Sequence, residues 1–182
     1  MPIRRPSPLL FTLLLVGATV TYLEVRRHQD ANPLDIEMAA PSFTLVDLAS
    51  PHDTLTLQSF AGQVLVLEAW ARSCENCKYS MPALDSVANT LRGRGVKVVH
   101  VALEELADST AVRAFVEKFG GPGGIVAMDQ NEVFRTNYVV TGLPTGYLID
   151  RRGRLRWQGY SVSHELSRPA GARLMETMIA ER

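Results

Sequence analysis

Two cysteines, Cys74 and Cys77, are the only ones in the 182-residue chain, and they stand three positions apart in Ser73-Cys74-Glu75-Asn76-Cys77-Lys78. A bond across so short a loop removes little chain entropy, so reactivity is a better reason for the pair than stability. Disulfide exchange needs a thiolate that is both stabilised and reachable. A helix N-terminus stabilises it, because unpaired N–H groups and the helix dipole favour negative charge and lower a thiol pKa from about 8.5 toward neutrality. Cys74 is then the nucleophile. Cys77, one helical turn later and less accessible, resolves the mixed disulfide and leaves the two cysteines oxidised. Taken alone, the spacing also fits half a metal site or a structural bond. Zinc would need two further ligands, but there is no third cysteine, and His28, His52, His100 and His164 show no paired ligand spacing. No metal and no bound cofactor are therefore expected, the redox group being the Cys74–Cys77 disulfide itself.

Such a pair needs a strand to carry it and a helix to receive it. Val64 to Trp70 is nearly continuously apolar, the pattern of a central strand buried on both faces. After the cysteines, Met81, Leu84, Val87, Ala88 and Leu91 fall at helical spacing until Gly93 and Gly95 stop the run. Val96 to Leu103 predicts a second buried strand. Ahead of these, Phe43 to Leu48 and Thr54 to Leu57 flank the turn-rich Ser50-Pro51-His52-Asp53 and read as a peripheral hairpin. Further on, Ser109 can cap a helix carrying Val112, Phe115, Val116 and Phe119, which ends at the glycines from Gly120 to Gly124. Ile125 to Met128 is a short third strand, and Asp129 with Glu132 resembles a capping box for a brief helix. Strands Thr145 to Ile149 and Leu155 to Gln158 are joined by a turn at Arg152-Gly153. A closing helix from Pro169 turns Leu174, Met175, Met178 and Ile179 inward. This alternation predicts an α/β fold, a central mixed sheet flanked by helices, with reacting groups at the carboxyl end of the central strand.

The 19 basic and 19 acidic side chains balance, which argues against nucleic acid or another polyanion as partner. Positions 6 to 23 are 18 consecutive uncharged residues. At about 1.5 Å per residue they reach roughly 27 Å, enough to span a bilayer. A cleaved signal peptide would begin in the same way, but Val16-Gly17-Ala18 lies inside the apolar run and Met38-Ala39-Ala40 comes long after it. Residues 1–25 are therefore read as an uncleaved signal anchor, 26–40 as a linker, and 41–182 as one domain. Arg4 and Arg5 balance Arg26 and Arg27, so the terminal amine tips the orientation toward a cell-membrane protein whose domain lies on the extracytoplasmic side.

From Val66 to Lys78, with Met81-Pro82 and Gly142-Leu143-Pro144-Thr145 downstream, the sequence resembles the thioredoxin-like superfamily. The likeness is greatest to its membrane-anchored TlpA/ResA-type thiol-disulfide oxidoreductases, including the reductants of cytochrome c maturation. It runs from about Pro41 to the C-terminus. The resemblance implies a thioredoxin-like fold with an N-terminal β-hairpin and a central helix–strand insertion, Ser109 to Met128. It also implies reduction of disulfides in extracytoplasmic client proteins, apocytochrome c among the candidates, with electrons from a membrane donor. Glu68 matches a position beneath the cysteines. If buried, it should hold its proton tightly enough to exchange one with Cys77, whereas a strand-end glutamate would simply reach solvent. Pro144 resembles the family's cis-proline, beside which Leu143 offers backbone groups to an extended substrate. Trp70 is read as core, Pro82 as a helix kink, and His100 and His164 as packing or surface residues without a nameable partner. Ser73 stands where the family commonly has Trp, and Glu75-Asn76 replaces a proline-containing dipeptide. A carboxylate beside Cys74 would disfavour its thiolate and favour a reductant. The alternative from another class is a redox-silent binding module or metallochaperone, although a copper carrier of this fold typically uses a differently spaced pair with a histidine. A peroxidase would need a Pro-x-x-x-Thr-x-x-Cys pocket that is absent.

Overall fold

The computed structural model describes residues 36–120 and 123–181. The apolar segment read as an anchor lies outside them; among the described residues no helix is long and apolar enough to cross a membrane. The strands are β1 Thr44–Asp47, β2 Thr54–Thr56, β3 Val64–Trp70, β4 Val96–Ala102, β5 Ile125–Asp129, β6 Thr145–Ile149 and β7 Leu155–Tyr160. The helices are α1 Cys77–Thr90, α2 Ser109–Phe119, α3 Val133–Asn137, α4 Val162–Ser167 and α5 Pro169–Ala180. The strands form one seven-stranded sheet in the order β2-β1-β5-β4-β3-β6-β7. β3 pairs in parallel with β4, and β4 with β5, while the other pairs are antiparallel. This is the expected mixed sheet.

β3 is apolar throughout because both of its faces are covered. Leu65, Leu67 and Ala69 face a core that includes Phe43, Phe60, Phe134, Tyr138 and Tyr147. Val64 and Val66 face Leu84 of α1, Val162 and Leu166 of α4, and Met175 and Met178 of α5. In the first layer the Phe134 and Tyr138 rings stack with centroids 4.3 Å apart, and Tyr147 meets Tyr138 edge-on. Such pairs add about 1 kcal/mol each beyond their buried area. Both tyrosine hydroxyls donate to backbone carbonyls, Tyr147 to Tyr138 and Tyr138 to Pro41, each at 2.8 Å. The layer therefore carries no unmet hydroxyl.

The structure departs from the sequence reading at several places. The hairpin is not merely peripheral: β1 also pairs with β5, because the inserted strand offers it an open edge, and Leu45 and Val46 enter the core. Ser109 is the first residue of α2, and Asp108 precedes it. Helix α4, too short for a periodic signal, was not foreseen. Residues 37–40, read as the end of a linker, already hydrogen-bond to the β7 region: Glu37 N–H to Leu155 O, Leu155 N–H to Met38 O, and Ala40 N–H to Gly153 O.

Asp129 and Glu132 do not form a reciprocal box. Asn131 and Glu132 adopt left-handed backbone angles in a turn, and Asp129 reaches across it to accept from the N–H groups of Phe134 and Arg135, both at 2.8 Å. Glu132 instead pairs with Arg135 in solvent. Asp129→Ala should therefore cost about 1–2 kcal/mol in urea unfolding, and Glu132→Ala less than about 0.5 kcal/mol. Equal costs would restore the reciprocal box.

Candidate active site

β3 delivers the chain to the carboxyl edge of the sheet at Trp70, a turn follows, and α1 begins at Cys77. Cys74 and Cys77 are joined by a disulfide. The helix thus starts at the second cysteine, not the first, and Cys74 lies in the turn before it. The electrostatic consequence survives the correction. The Cys77 N–H, at the first turn of the helix, is shared between the Cys74 carbonyl at 3.3 Å and Cys74 Sγ at 3.2 Å. Cys77 is buried and Cys74 half-buried, so only the first sulfur is open to a partner.

The turn is pinned from behind. Arg72 donates through its backbone N–H to Glu104 at 2.7 Å, and its guanidinium pairs with Glu104 and Asp108. Trp70 is core, as expected, and stacks on Phe115 with centroids 4.9 Å apart. Pro82 lies within α1. Glu75 has a partner that the sequence reading did not name. Its side chain is 71% exposed and sits 2.6 Å from Lys78 Nζ, so its charge is largely neutralised and screened before it reaches Cys74.

The Leu143–Pro144 peptide bond is cis. Pro144 is buried, its carbonyl accepts from Ser161 N–H at 3.1 Å, and Thr145 Oγ1 donates to Gly142 O at 2.6 Å. Leu143 packs against the cluster that contains Trp70 and Cys77, with Cys74 at its margin. Between the proline loop and the cysteine turn runs a cleft of about 360 Å³, walled by Ala71 and Ser73 on one side and Thr141 to Leu143 on the other. The two segments that the sequence singled out therefore share one surface.

Glu68 interrupts the apolar run of β3 on the face that α1 covers. It is 1% exposed, and no hydrogen bond of ordinary length and angle reaches either of its oxygens, with the Ser80 hydroxyl and the Val162 N–H nearby. Burial pushes its carboxyl up to about 7; His100 is the largest opposing influence, followed by the Ser80 hydroxyl and the Val162 N–H. Ser80 also donates to the Cys77 carbonyl at 3.4 Å, which ties this pocket to the resolving cysteine. Opposite Glu68, on β6, stands Gly146, where a Cβ would lie 2.3 Å from that of Val162, so only glycine lets α4 close over the carboxyl.

One buried pair escaped the sequence reading. His100, expected to pack without a nameable partner, is 1% exposed and its Nε2 lies 3.0 Å from Asp85 Oδ1. A signal was present: Asp85 occupies the position four residues after Met81 on the apolar face of α1, where a carboxylate needs a partner. His164 is exposed. Among the described residues no group of three or more His, Cys, Asp or Glu side chains is arranged to hold a metal ion.

The profile of the Redoxin family, described simply as redoxin, matches residues 36–173. A thiol:disulfide interchange protein DsbE of Vibrio cholerae is 29% identical over 96% of this chain and 94% of its own. The thiol-disulfide oxidoreductase ResA of Bacillus anthracis is 29% identical over 79% of this chain and 80% of its own. Among solved structures, a Chlorobium tepidum protein described as thiol:disulfide interchange protein DsbE superimposes with a TM-score of 0.64 at 29% identity, over 80% of this chain and 96% of that one.

Proposed function

The chain belongs to the Redoxin family as a thiol-disulfide oxidoreductase, and from that premise we propose that it works as a reductant of disulfides in extracytoplasmic client proteins. The observation that carries this reading is Cys74 Sγ at the N-terminus of α1, facing the Cys77 N–H, with Glu68 buried behind. In the reduced enzyme the same N–H groups favour a Cys74 thiolate, which attacks the client disulfide and forms a mixed disulfide. Glu68 takes the proton of Cys77. The Cys77 thiolate then attacks Cys74 Sγ, and the client sulfur leaves with the bonding electrons. The enzyme is left in the oxidised state of this structure. Leu143 offers backbone groups to the client across the cleft, with Pro144 holding the loop.

A membrane dithiol donor returns the pair to its reduced state, and no separate cofactor takes part. Residues 1–25 hold the domain to the membrane on the extracytoplasmic side. The 18 consecutive uncharged residues at positions 6 to 23 support this reading. The clients include apocytochrome c.

The test is a redox titration of the full-length chain in glutathione or dithiothreitol buffers, with Cys74→Ser as control. The expected result is a reversible two-electron transition well below the glutathione pool. A potential as high as that of a dedicated disulfide donor would sink the reductant reading. A pair that failed to cycle, or that bound copper stoichiometrically, would favour the binding-module alternative.

A further inference from the structure

Three ionisable side chains, Glu68 of β3, His100 of β4 and Asp85 of α1, are buried together on the face that α1 covers. Glu68 and His100 are direct neighbours in the parallel pairing of β3 with β4. Asp85 accepts a hydrogen bond from His100 Nε2. That bond leaves Nδ1 as the nitrogen free to gain or lose a proton. The orientation of the ring is enforced from the β5 side. A Cβ at Gly124 would come within 2.8 Å of both Cδ2 and Nε2 of His100, and one at Gly123 would lie 2.3 Å from the Asp85 carbonyl oxygen. With that edge against Gly124, the Nδ1 edge faces β3. No hydrogen bond of ordinary length and angle reaches Nδ1 or either oxygen of Glu68. In the oxidised enzyme one proton is available to the two groups: on Glu68 it makes a donor facing an imidazole acceptor, and on His100 it faces a carboxylate, although no hydrogen bond joins them in this structure.

We propose that His100, anchored by Asp85, is a positioning residue that receives from Glu68 the proton released by Cys77 during resolution. This rests on the reading of Glu68 as the base in that step. Cys77 S–H gives its proton to the Glu68 carboxylate. The Cys74–Cys77 bond forms as the Cys74–client bond breaks, with the electron pair leaving on the client sulfur. The proton passes from Glu68 to His100 Nδ1, which regenerates the carboxylate and leaves an imidazolium paired with Asp85. The groups facing Glu68 are His100 from β4, Asp85 and the neutral Ser80 from α1, and the Val162 N–H from α4; β6 places Gly146 opposite Glu68, and beside His100 stand Val126 of β5 and the preceding Gly124, none of which titrates. In the reduced enzyme the Cys77 thiol joins them.

The experiment follows the infrared carboxyl band of Glu68 and the imidazole ¹⁵N resonances against pH in the full-length chain, His100→Gln and Glu68→Gln, together with the pH profile of mixed-disulfide resolution. His100→Gln should raise the midpoint of the Glu68 band by about one pH unit or more, because the His100 influence that favours the carboxylate is gone. The resolution profile should move with it, and Glu68→Gln should change the Nδ1 resonance. An unmoved Glu68 midpoint in His100→Gln, with Glu68→Gln still flattening the resolution profile, overturns the relay alone. A resolution profile unchanged by Glu68→Gln overturns both the base and the relay. Should His100→Gln fail to fold, the Nδ1 resonance decides: insensitivity to Glu68→Gln refutes the coupling.

Discussion

Replacing Cys77 by serine should lower reductase turnover to the uncatalysed background and accumulate a covalent adduct between Cys74 and its client. The half-buried Cys74 sulfur can still attack, while the buried partner that would release it is gone. Cys74→Ser should be equally inactive but form no adduct, because Cys77 lies fully within the apolar cluster of Trp70 and Met81 and no client sulfur reaches it. Non-reducing gels of membranes from cells expressing each variant separate the outcomes. A membrane-impermeant thiol reagent added to intact cells should block adduct formation if the domain lies outside the cytoplasm. Equal trapping by both variants would reverse the assignment of the two roles, and adducts insensitive to the reagent would place the domain inside.

The second large effect is on stability. The Glu68 carboxyl is pushed up to about 7 in the folded oxidised protein, from an ordinary value of 4.5. Between those values the folded chain holds a proton that the unfolded chain has released. The contribution is therefore fully present below the unfolded value and is lost as the pH rises through the folded one. Its size is about 3 kcal/mol. Glu68→Gln removes the charge that must be buried, so its unfolding free energy should rise relative to wild type by about that amount between pH values near 4 and near 8. Denaturant unfolding with the disulfide intact measures the difference, and Asp85 and His100 are present in both proteins. Parallel pH–stability curves would show that Glu68 is not held protonated. The same substitution should slow resolution by about a hundredfold, the usual loss when a positioned proton acceptor is removed. The protein would gain stability where it lost activity.

The parts of the molecule that the sequence made legible are those whose cause is local. β3 could be read because burial on both faces leaves a run from Val64 to Trp70 in which Glu68 is the only charge. α5 begins at Pro169 because proline suits a first helical position. The cysteine spacing is local too, and it led to the correct turn even though α1 starts three residues later than the first sulfur. What stayed hidden depends on lateral neighbours. The His100–Asp85 pair joins a strand residue to a helix residue whose facing positions are set only when α1 packs on the sheet. The pairing of β1 with β5 depends on which edge the insertion leaves open. The pairing of Glu75 with Lys78, one turn along, was also not read from the sequence. The cis bond at Pro144 was reached through resemblance, since nothing in Thr141-Gly142-Leu143-Pro144 dictates it.

The clamp of residues 37–40 on Gly153 and Leu155 also determines which way the enzyme can reach. Leu155 pairs with Ile149, and Ile149 with Leu65, at the start of β3, whereas the disulfide follows the end of that strand. The chain thus enters the domain at the pole opposite its reacting sulfur, about 20 Å away along a seven-residue strand. Whatever grips the chain at residues 37–40 therefore leaves the edge of the sheet that carries Cys74 uncovered.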